Sequence, residues 1–125
     1  MLASDDPRLI NSGPDWEVRA CGDFFNDGRA DLVWQNSKTG DIRIDNWRGS
    51  SFGESLYPFG GPPGAKVKGA GDFYIDGNPE ILLQEPSTGE VGYLKPRGGE
   101  YTKIAAAGRN WVLAGAIYTS LYRND

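Results

Sequence analysis

Residues 22–31 of the chain read Gly22-Asp23-Phe24-Phe25-Asn26-Asp27-Gly28-Arg29-Ala30-Asp31, which is an acidic loop pattern. Counting Asp23 as the first position, aspartates stand at the first, fifth and ninth positions and Gly28 stands at the sixth. Carboxylate oxygens are the ligands that calcium prefers, and a glycine allows the backbone to turn sharply between them. The spacing is therefore typical of a tight loop that wraps its oxygens around a hard cation.

A close copy of this loop returns about 49 residues later, as Gly71-Asp72-Phe73-Tyr74-Ile75-Asp76-Gly77-Asn78-Pro79-Glu80. The match continues beyond the loop in one register, since Val67 corresponds to Val18 and residues 81–84 correspond to residues 32–35. A repeat of this length is typical of stacked or radial repeat arrays. The sequence therefore predicts a single repetitive domain rather than two unrelated halves.

Within this domain, repeat 1 covers about residues 14–62, repeat 2 about residues 63–108, and a partial repeat residues 109–125. The partial repeat matches the first strand from Trp111, lacks the acidic loop, and resumes at Tyr118. Apolar and polar residues alternate as half-buried strands require. The strands predicted from this alternation in repeat 1 span residues 16–21, 30–35, 42–47 and 56–59, with a hairpin turn at residues 36–41. An earlier strand is predicted at Arg8-Leu9-Ile10.

Composition limits the classes of function. The 125 residues carry a formal net charge of −4, which argues against a nucleic-acid partner because phosphates repel an acidic surface. The N-terminus has neither the basic start nor the apolar run of a signal peptide, and no segment is long and apolar enough to cross a bilayer. We predict a soluble protein without membrane insertion, and the compartment is left open. The single cysteine, Cys21, is predicted to be a small buried side chain.

The repeats resemble a known family. Residues 16–24 read Trp-x-Val-x-Ala-x-Gly-Asp-Phe, residues 27–36 read Asp-Gly-x-Ala-Asp-Leu-Val-Trp-Gln-Asn, and residues 39–42 read Thr-Gly-Asp-Ile. This pattern, over roughly residues 14 to 122, is similar to the FG-GAP/VCBS-type repeat. The resemblance implies an all-β fold of four-stranded antiparallel propeller blades, here two complete blades plus a partial third. It also implies calcium in the loop between the first two strands of a blade. Such repeats are often extracellular or on the cell surface.

Two loops are candidate calcium sites with a structural role. The first would use Asp23, Asp27 and Asp31, with Asn26 as a substitute ligand and a backbone carbonyl from Arg29. The second offers a matching set of ligands, which are Asp72, Asp76, Glu80 and the Asn78 carbonyl. The family's usual polar third position is Phe25 or Tyr74 here. The alternative is a metal-free turn in which the carboxylates accept hydrogen bonds from backbone amides.

Catalysis has little support in the sequence, because the chain contains no histidine and its acidic residues belong to repeat loops, turns or exposed strand faces. A glycosidase-like carboxylate pair is the one enzymatic alternative, and we predict that the protein is not an enzyme. Trp47 is out of phase with Ile42 and Ile44. With Arg43 and Asp45 beside it, Trp47 is a candidate for stacking on a sugar or anchoring a protein.

The sequence therefore predicts a non-enzymatic β-propeller-type binding or scaffold protein. The alternatives are a carbohydrate-binding lectin and a protein-binding inhibitor or immunity-type factor. Propellers need four to eight blades to close, and we count about three blades for each chain. We expect the C-terminal strands of one copy to pair with the N-terminal strand of the next. A homodimer would then close a ring of about six blades. The alternative is that the sequence is a fragment of a longer chain.

Overall fold

The computed structural model describes residues 14–73, 75–106, 108 and 116–117, in which every regular element is a β-strand. Two four-stranded antiparallel sheets follow each other along the chain, each with its strands in sequence order. The strands of the first sheet are β1 (Trp16–Gly22), β2 (Asp31–Asn36), β3 (Ile42–Trp47) and β4 (Phe52–Leu56). Those of the second are β5 (Lys66–Gly71), β6 (Glu80–Glu85), β7 (Glu90–Leu94) and β8 (Tyr101–Ala106). The all-β prediction is confirmed.

A short ninth strand, β9 (Ala116–Ile117), adds to the β5 edge of the second sheet. It pairs in parallel with β5, where Gly69 lies opposite Ala116. The remaining predictions for the chain ends lie outside the described residues, namely the strand at residues 8–10 and the other positions of the partial repeat. Within the described residues, no helix is present that could span a membrane.

The two sheets have the same local design. A register shift between Val18 and Ala20 in β1 recurs between Val67 and Gly69 in β5, at the same repeat position. The turn at residues 36–41 forms as predicted, because the amides of Lys38 and Thr39 donate to Asn36 Oδ1.

The fourth strand of repeat 1 was predicted incorrectly. It was expected at residues 56–59, but β4 spans Phe52–Leu56 and ends where the expected strand begins. The reason lies on both sides of β4. A turn closed by the Arg48 amide and the Ser51 carbonyl (2.9 Å) starts the strand earlier, and Pro58 has no amide hydrogen to continue it.

The hydrophobic core lies between the two sheets, and the face that the first sheet contributes is not the equivalent of the face that the second sheet contributes. The first sheet and its acidic loop contribute Phe24, Val33, Ile42 and Ile44, and the second sheet contributes Val67, Ile81, Leu83 and Leu94. Leu82, the repeat equivalent of Val33, is absent from this core, whereas its neighbours Ile81 and Leu83 belong to it. Successive side chains of a strand point to opposite faces. The sheets therefore stack head to tail, with one face of repeat 1 against the other face of repeat 2.

Among the described residues, no second sheet covers the equivalent outer face of the first sheet. Val67 is 1% exposed in the core, whereas Val18 at the same repeat position is 50% exposed. Cys21 is exposed, whereas Ala70 at the same position packs against the core. The prediction that Cys21 is buried was therefore wrong. Ala20 points into the core, so the alternation of the strand turns Cys21 away from it.

Candidate functional site

The first acidic loop is held in shape by its own carboxylates. Asp23 accepts two backbone hydrogen bonds, from the amide of Asp27 to Oδ1 (3.1 Å) and from the amide of Gly28 to Oδ2 (2.9 Å). Asp27 Oδ1 accepts a third from the amide of Arg29 (3.0 Å). Gly28 has a φ of 81°, a left-handed conformation that favours glycine. These hydrogen bonds are the ones expected for the metal-free alternative. The carboxylate oxygens of the loop nevertheless lie close enough together to hold a metal ion.

Asp31 fastens the base of this loop to the sheet. Its side chain is buried, and its two oxygens accept hydrogen bonds from the amides of Phe24 and Trp47, both at 2.9 Å. Burial raises the pKa of the Asp31 carboxyl above its usual range, and the nearby Asp27 and Asp23 add to this effect. The two amide hydrogen bonds act in the opposite direction but are outweighed. Asp31 is therefore a carboxylate for which a bound cation would relieve an electrostatic cost.

The second loop repeats the same hydrogen bonds. Asp72 accepts from the amides of Asp76 (3.0 Å) and Gly77 (2.8 Å), and Asp76 accepts from the amide of Asn78 (3.0 Å). Glu80 takes the place of Asp31 and is buried as well. Tyr74 lies outside the described residues. The repeat therefore preserves the loop as a unit, including its buried acidic base.

Both acidic groups could hold a metal ion. One carboxylate oxygen from each of Asp23, Asp27 and Asp31 lies within 4.8 Å of the others, and the same holds for Asp72, Asp76 and Glu80. This is the arrangement that the spacing predicts.

The two loops also contact each other across the junction of the repeats. Asn26 Nδ2 donates to Asn78 Oδ1 (3.2 Å), so two predicted ligand residues join the loops instead of standing apart. Asn26 has a φ of 56° and its repeat equivalent Ile75 a φ of 57°. A left-handed conformation is unusual for a β-branched residue, which shows how strictly the loop backbone is repeated. The two loops therefore lie next to each other and are in direct contact at the junction of the repeats.

The predicted ligand-binding residues of β3 are arranged differently from one another. The guanidinium of Arg43 lies over the rings of Trp16 and Trp34, 5.0 and 5.1 Å from their centroids, and pairs with Asp45 Oδ2 (3.1 Å). Arg43 and Asp45 are buried, whereas the ring of Trp47 is half-buried. Arg43 and Asp45 therefore stabilise the sheet face, and Trp47 alone keeps accessible ring surface.

Trp47 is also held in place on one side. Its ring meets Phe52 edge to face, with 5.3 Å between the ring centroids and 65° between the planes. The two aromatic residues face each other on adjacent strands β3 and β4. A partner would therefore meet the partly exposed Trp47 rather than a complete three-residue site.

Gln35 is a connecting residue that the sequence reasoning missed. This buried side chain donates from Nε2 to the carbonyls of Gly40 (3.2 Å) and Ala65 (3.0 Å). Its Oε1 accepts from the amide of Val67 (2.9 Å). Gln35 thereby joins the first sheet to the start of the second. A signal for it was present, because Gln84 occupies the same position in an equally apolar strand.

A pocket of about 180 Å³ opens beside the second loop, at the junction of the two repeats. Three segments build its walls: the first acidic loop, the second acidic loop and the turn between β7 and β8. The turn is closed by hydrogen bonds between Lys95 and Glu100 (2.8 Å) and between Gly99 and Lys95 (3.2 Å). The lining residues are Phe24, Asp76, Asn78, Pro79, Glu80, Lys95, Pro96 and Arg97. The sequence did not identify this turn as part of a site, because its residues form a pocket only together with the acidic loops.

Comparison with known proteins finds no matching family model, no matching curated protein and no matching solved structure. The geometry defines the class of the molecule as an all-β protein of two stacked antiparallel sheets with duplicated acidic loops. The similarity to FG-GAP/VCBS-type repeats stays a prediction.

Proposed function

We propose that this protein is a non-enzymatic binding or scaffold protein built from β-propeller-type repeats, which closes into a ring with a second copy of itself. Three buried polar side chains support a structural role for the polar groups of the protein. Asp31 secures a loop, Gln35 joins the repeats, and Asp45 pairs with Arg43 while accepting from Ser55 Oγ (2.7 Å). Each has a partner inside the fold, which is typical of scaffold polar groups.

The main support for this assembly is the difference in solvent exposure between Val18 and Val67, which occupy the same repeat position. Val67 is covered by the preceding sheet, whereas half of Val18 is exposed on a face of the same design. A sheet face like the one that packs on Val67 would cover Val18 in the same way. We assign this role to the C-terminal partial repeat of a second copy, whose positions lie mostly outside the described residues. Two copies of about three repeats give about six blades, within the range of closed propellers.

The lectin alternative depends on Trp47, whose ring remains partly accessible. A glycan array separates the alternatives: saccharide binding that is lost in Trp47→Ala favours the lectin. An array without binding favours a protein partner, such as the target of an inhibitor or immunity-type factor. Trp16→Ala is a poor control because Trp16 packs on Arg43, so Tyr57→Ala, an exposed aromatic outside the sheets, is preferred.

Calcium in the first acidic loop is part of the proposal, and its role there is stability. We expect saturating calcium to raise the melting temperature and a chelator to lower it. At a calcium concentration of about 100 times Kd, binding adds about 2.7 kcal/mol to the free energy of unfolding. Differential scanning calorimetry with and without calcium measures this. An identical melting curve in both conditions would show that the loops are metal-free.

Two substitutions at Asp27 separate metal binding from loop capping. Asp27→Asn keeps an oxygen that can accept from the Arg29 amide but carries no negative charge, so it should weaken the calcium response and keep the calcium-free melting temperature. Asp27→Ala should lose both. Calcium stabilisation that is undiminished in Asp27→Ala would contradict a site in the first loop.

The raised pKa of Asp31 predicts a pH dependence of calcium binding. Calcium needs the ionised carboxylate, and a proton competes for it at a higher pH than at an ordinary aspartate. Affinity should therefore fall as pH decreases through the raised pKa, by up to about tenfold per pH unit for one proton displaced. Calorimetric titrations at a series of pH values in two buffers measure affinity and proton release. A calcium affinity that stays constant as the pH is lowered to the ordinary pKa range of aspartate would contradict a role for Asp31 in calcium binding.

A further inference from the structure

We propose that the pocket between the acidic loops and the β7–β8 turn binds a small zwitterion of the α-amino-acid type. The inference rests on the proposed non-enzymatic binding role and assigns it a site other than Trp47. The pocket lies where the two repeats meet, and its lining includes Asn78, whose side chain accepts a hydrogen bond from Asn26 of the first loop. Its shape therefore depends on the stacking of the sheets and not on one loop alone.

The two sides of the pocket carry opposite charges. Asp76 and Glu80 come from the second loop and the start of β6, and Lys95 and Arg97 come from the facing turn. Lys95 pairs with Glu100 (3.7 Å). None of the ion pairs found among the described residues includes Asp76 or Arg97. One carboxylate and one guanidinium thus line the same cavity without neutralising each other.

Arg97 is held over the pocket by contacts that leave its charge uncompensated. Its guanidinium lies 5.1 Å from the centroid of the Phe25 ring, and Nη2 donates to the carbonyl of Phe24 at 3.5 Å. Both contacts come from the first acidic loop, which positions the side chain. A planar guanidinium with free donors is the side chain best suited to a carboxylate, which it binds with two parallel hydrogen bonds.

Asp76 supplies the complementary group. Among the described residues of the loop, only its Oδ1 accepts a hydrogen bond, from the amide of Asn78. The other oxygen can accept from an ammonium group, and such charge-assisted bonds are roughly twice as strong as neutral ones. A ligand with an ammonium and a carboxylate on the same carbon atom, as in an α-amino acid, can satisfy both sides of the pocket at once. A simple anion or cation would satisfy one side and face the like charge of the other.

The size and the remaining lining restrict the ligand further. At about 180 Å³ the pocket is smaller than the roughly 300–1,000 Å³ of typical drug-sized sites. Phe24, Pro79 and Pro96 add apolar surface to the lining. An aliphatic side chain can be buried against these rings while the charged groups are paired. The site therefore suits a free amino acid with a small or medium apolar side chain.

The repeat provides a matched control for Arg97. Arg48 is the arginine at the same repeat position, but its guanidinium lies over Gly53, where an added Cβ would meet Nε. It does not line the pocket. Arg48→Ala removes the same charge from an equivalent turn without touching the proposed site.

The test is calorimetric titration of the full chain with L-alanine, L-valine and L-leucine in the presence of a chelator. At least one should bind saturably. Its N-acetyl and carboxamide derivatives should each bind at least about tenfold more weakly, because each lacks one charged group. Arg97→Ala should weaken binding by a similar factor and Arg97→Lys by less, whereas Arg48→Ala should have no effect. Circular dichroism of each variant checks that it is folded.

Several outcomes would overturn the inference: no saturable binding of any of the three amino acids, equal binding of the derivatives, or full binding by folded Arg97→Ala. Binding that needs calcium would mean that a metal ion, and not this charge pair, holds the ligand. Binding of a neutral sugar instead would favour the lectin. Measuring the oligomeric mass of the same samples keeps the two proposals apart: a dimer that binds no amino acid overturns only the pocket, and a monomer that binds one overturns only the assembly.

Discussion

Replacing Gln35 with alanine is expected to lower the free energy of unfolding by about 2–4 kcal/mol. The side chain satisfies the buried amide of Val67 and the carbonyl of Ala65, and its loss leaves both without this partner. Each buried polar group left unsatisfied costs about 1–3 kcal/mol, and partial access of water at half-buried Ala65 reduces the sum. Urea unfolding followed by tryptophan fluorescence measures the change.

Gln35→Leu separates the hydrogen bonds from packing. Leucine fills a similar volume but can neither donate nor accept, so we expect a loss close to that of the alanine variant. If Gln35→Leu is as stable as the unchanged protein, the hydrogen bonds between the repeats do not stabilise their junction. A loss seen only for alanine would show that the cavity is the cause.

Val18→Arg is expected to abolish assembly without unfolding the chain. Val18 is half-exposed in one copy, so an arginine can extend into solvent. In the proposed ring the same position is covered, as Val67 is, and an unpaired charge buried there costs about 3–5 kcal/mol, roughly a 100-fold or larger rise in Kd. Sedimentation of the variant at several concentrations measures the shift to monomer.

Two further variants complete this test. Tyr57→Arg changes a residue that is 67% exposed outside the sheets, so it should assemble normally. Val67→Arg places the charge in the core between the sheets and should prevent folding. A folded Val18→Arg that assembles as the unchanged protein does would show that this face is not an interface.

The elements that follow local patterns were predicted well from the sequence. Alternating side chains located β1, β2 and β3, and the turn residues Asn36 and Gly40 located the hairpin between the last two. The acidic spacing also brought Asp23, Asp27 and Asp31 together as predicted. These features depend on neighbours within a few residues, which is the range over which sequence patterns are informative.

Features that depend on how the sheets stack were missed. The exposure of Cys21 follows from which face of the first sheet meets the second, and the small size of the residue carries no information about that. Gln35 and Arg97 act on groups about 30 and 73 residues away. Such contacts are set by tertiary structure, so a single sequence gives at most a hint, as the recurrence of glutamine at position 84 does.

Light scattering of the purified, unmodified chain tests the central claim most directly, because the open face at Val18 is the basis of the assembled scaffold. One chain has a mass of 13.6 kDa. At micromolar concentration we predict a stable particle of twice that mass, which does not grow further with concentration because the ring is closed. A stable particle of 13.6 kDa over the same range would contradict the proposal.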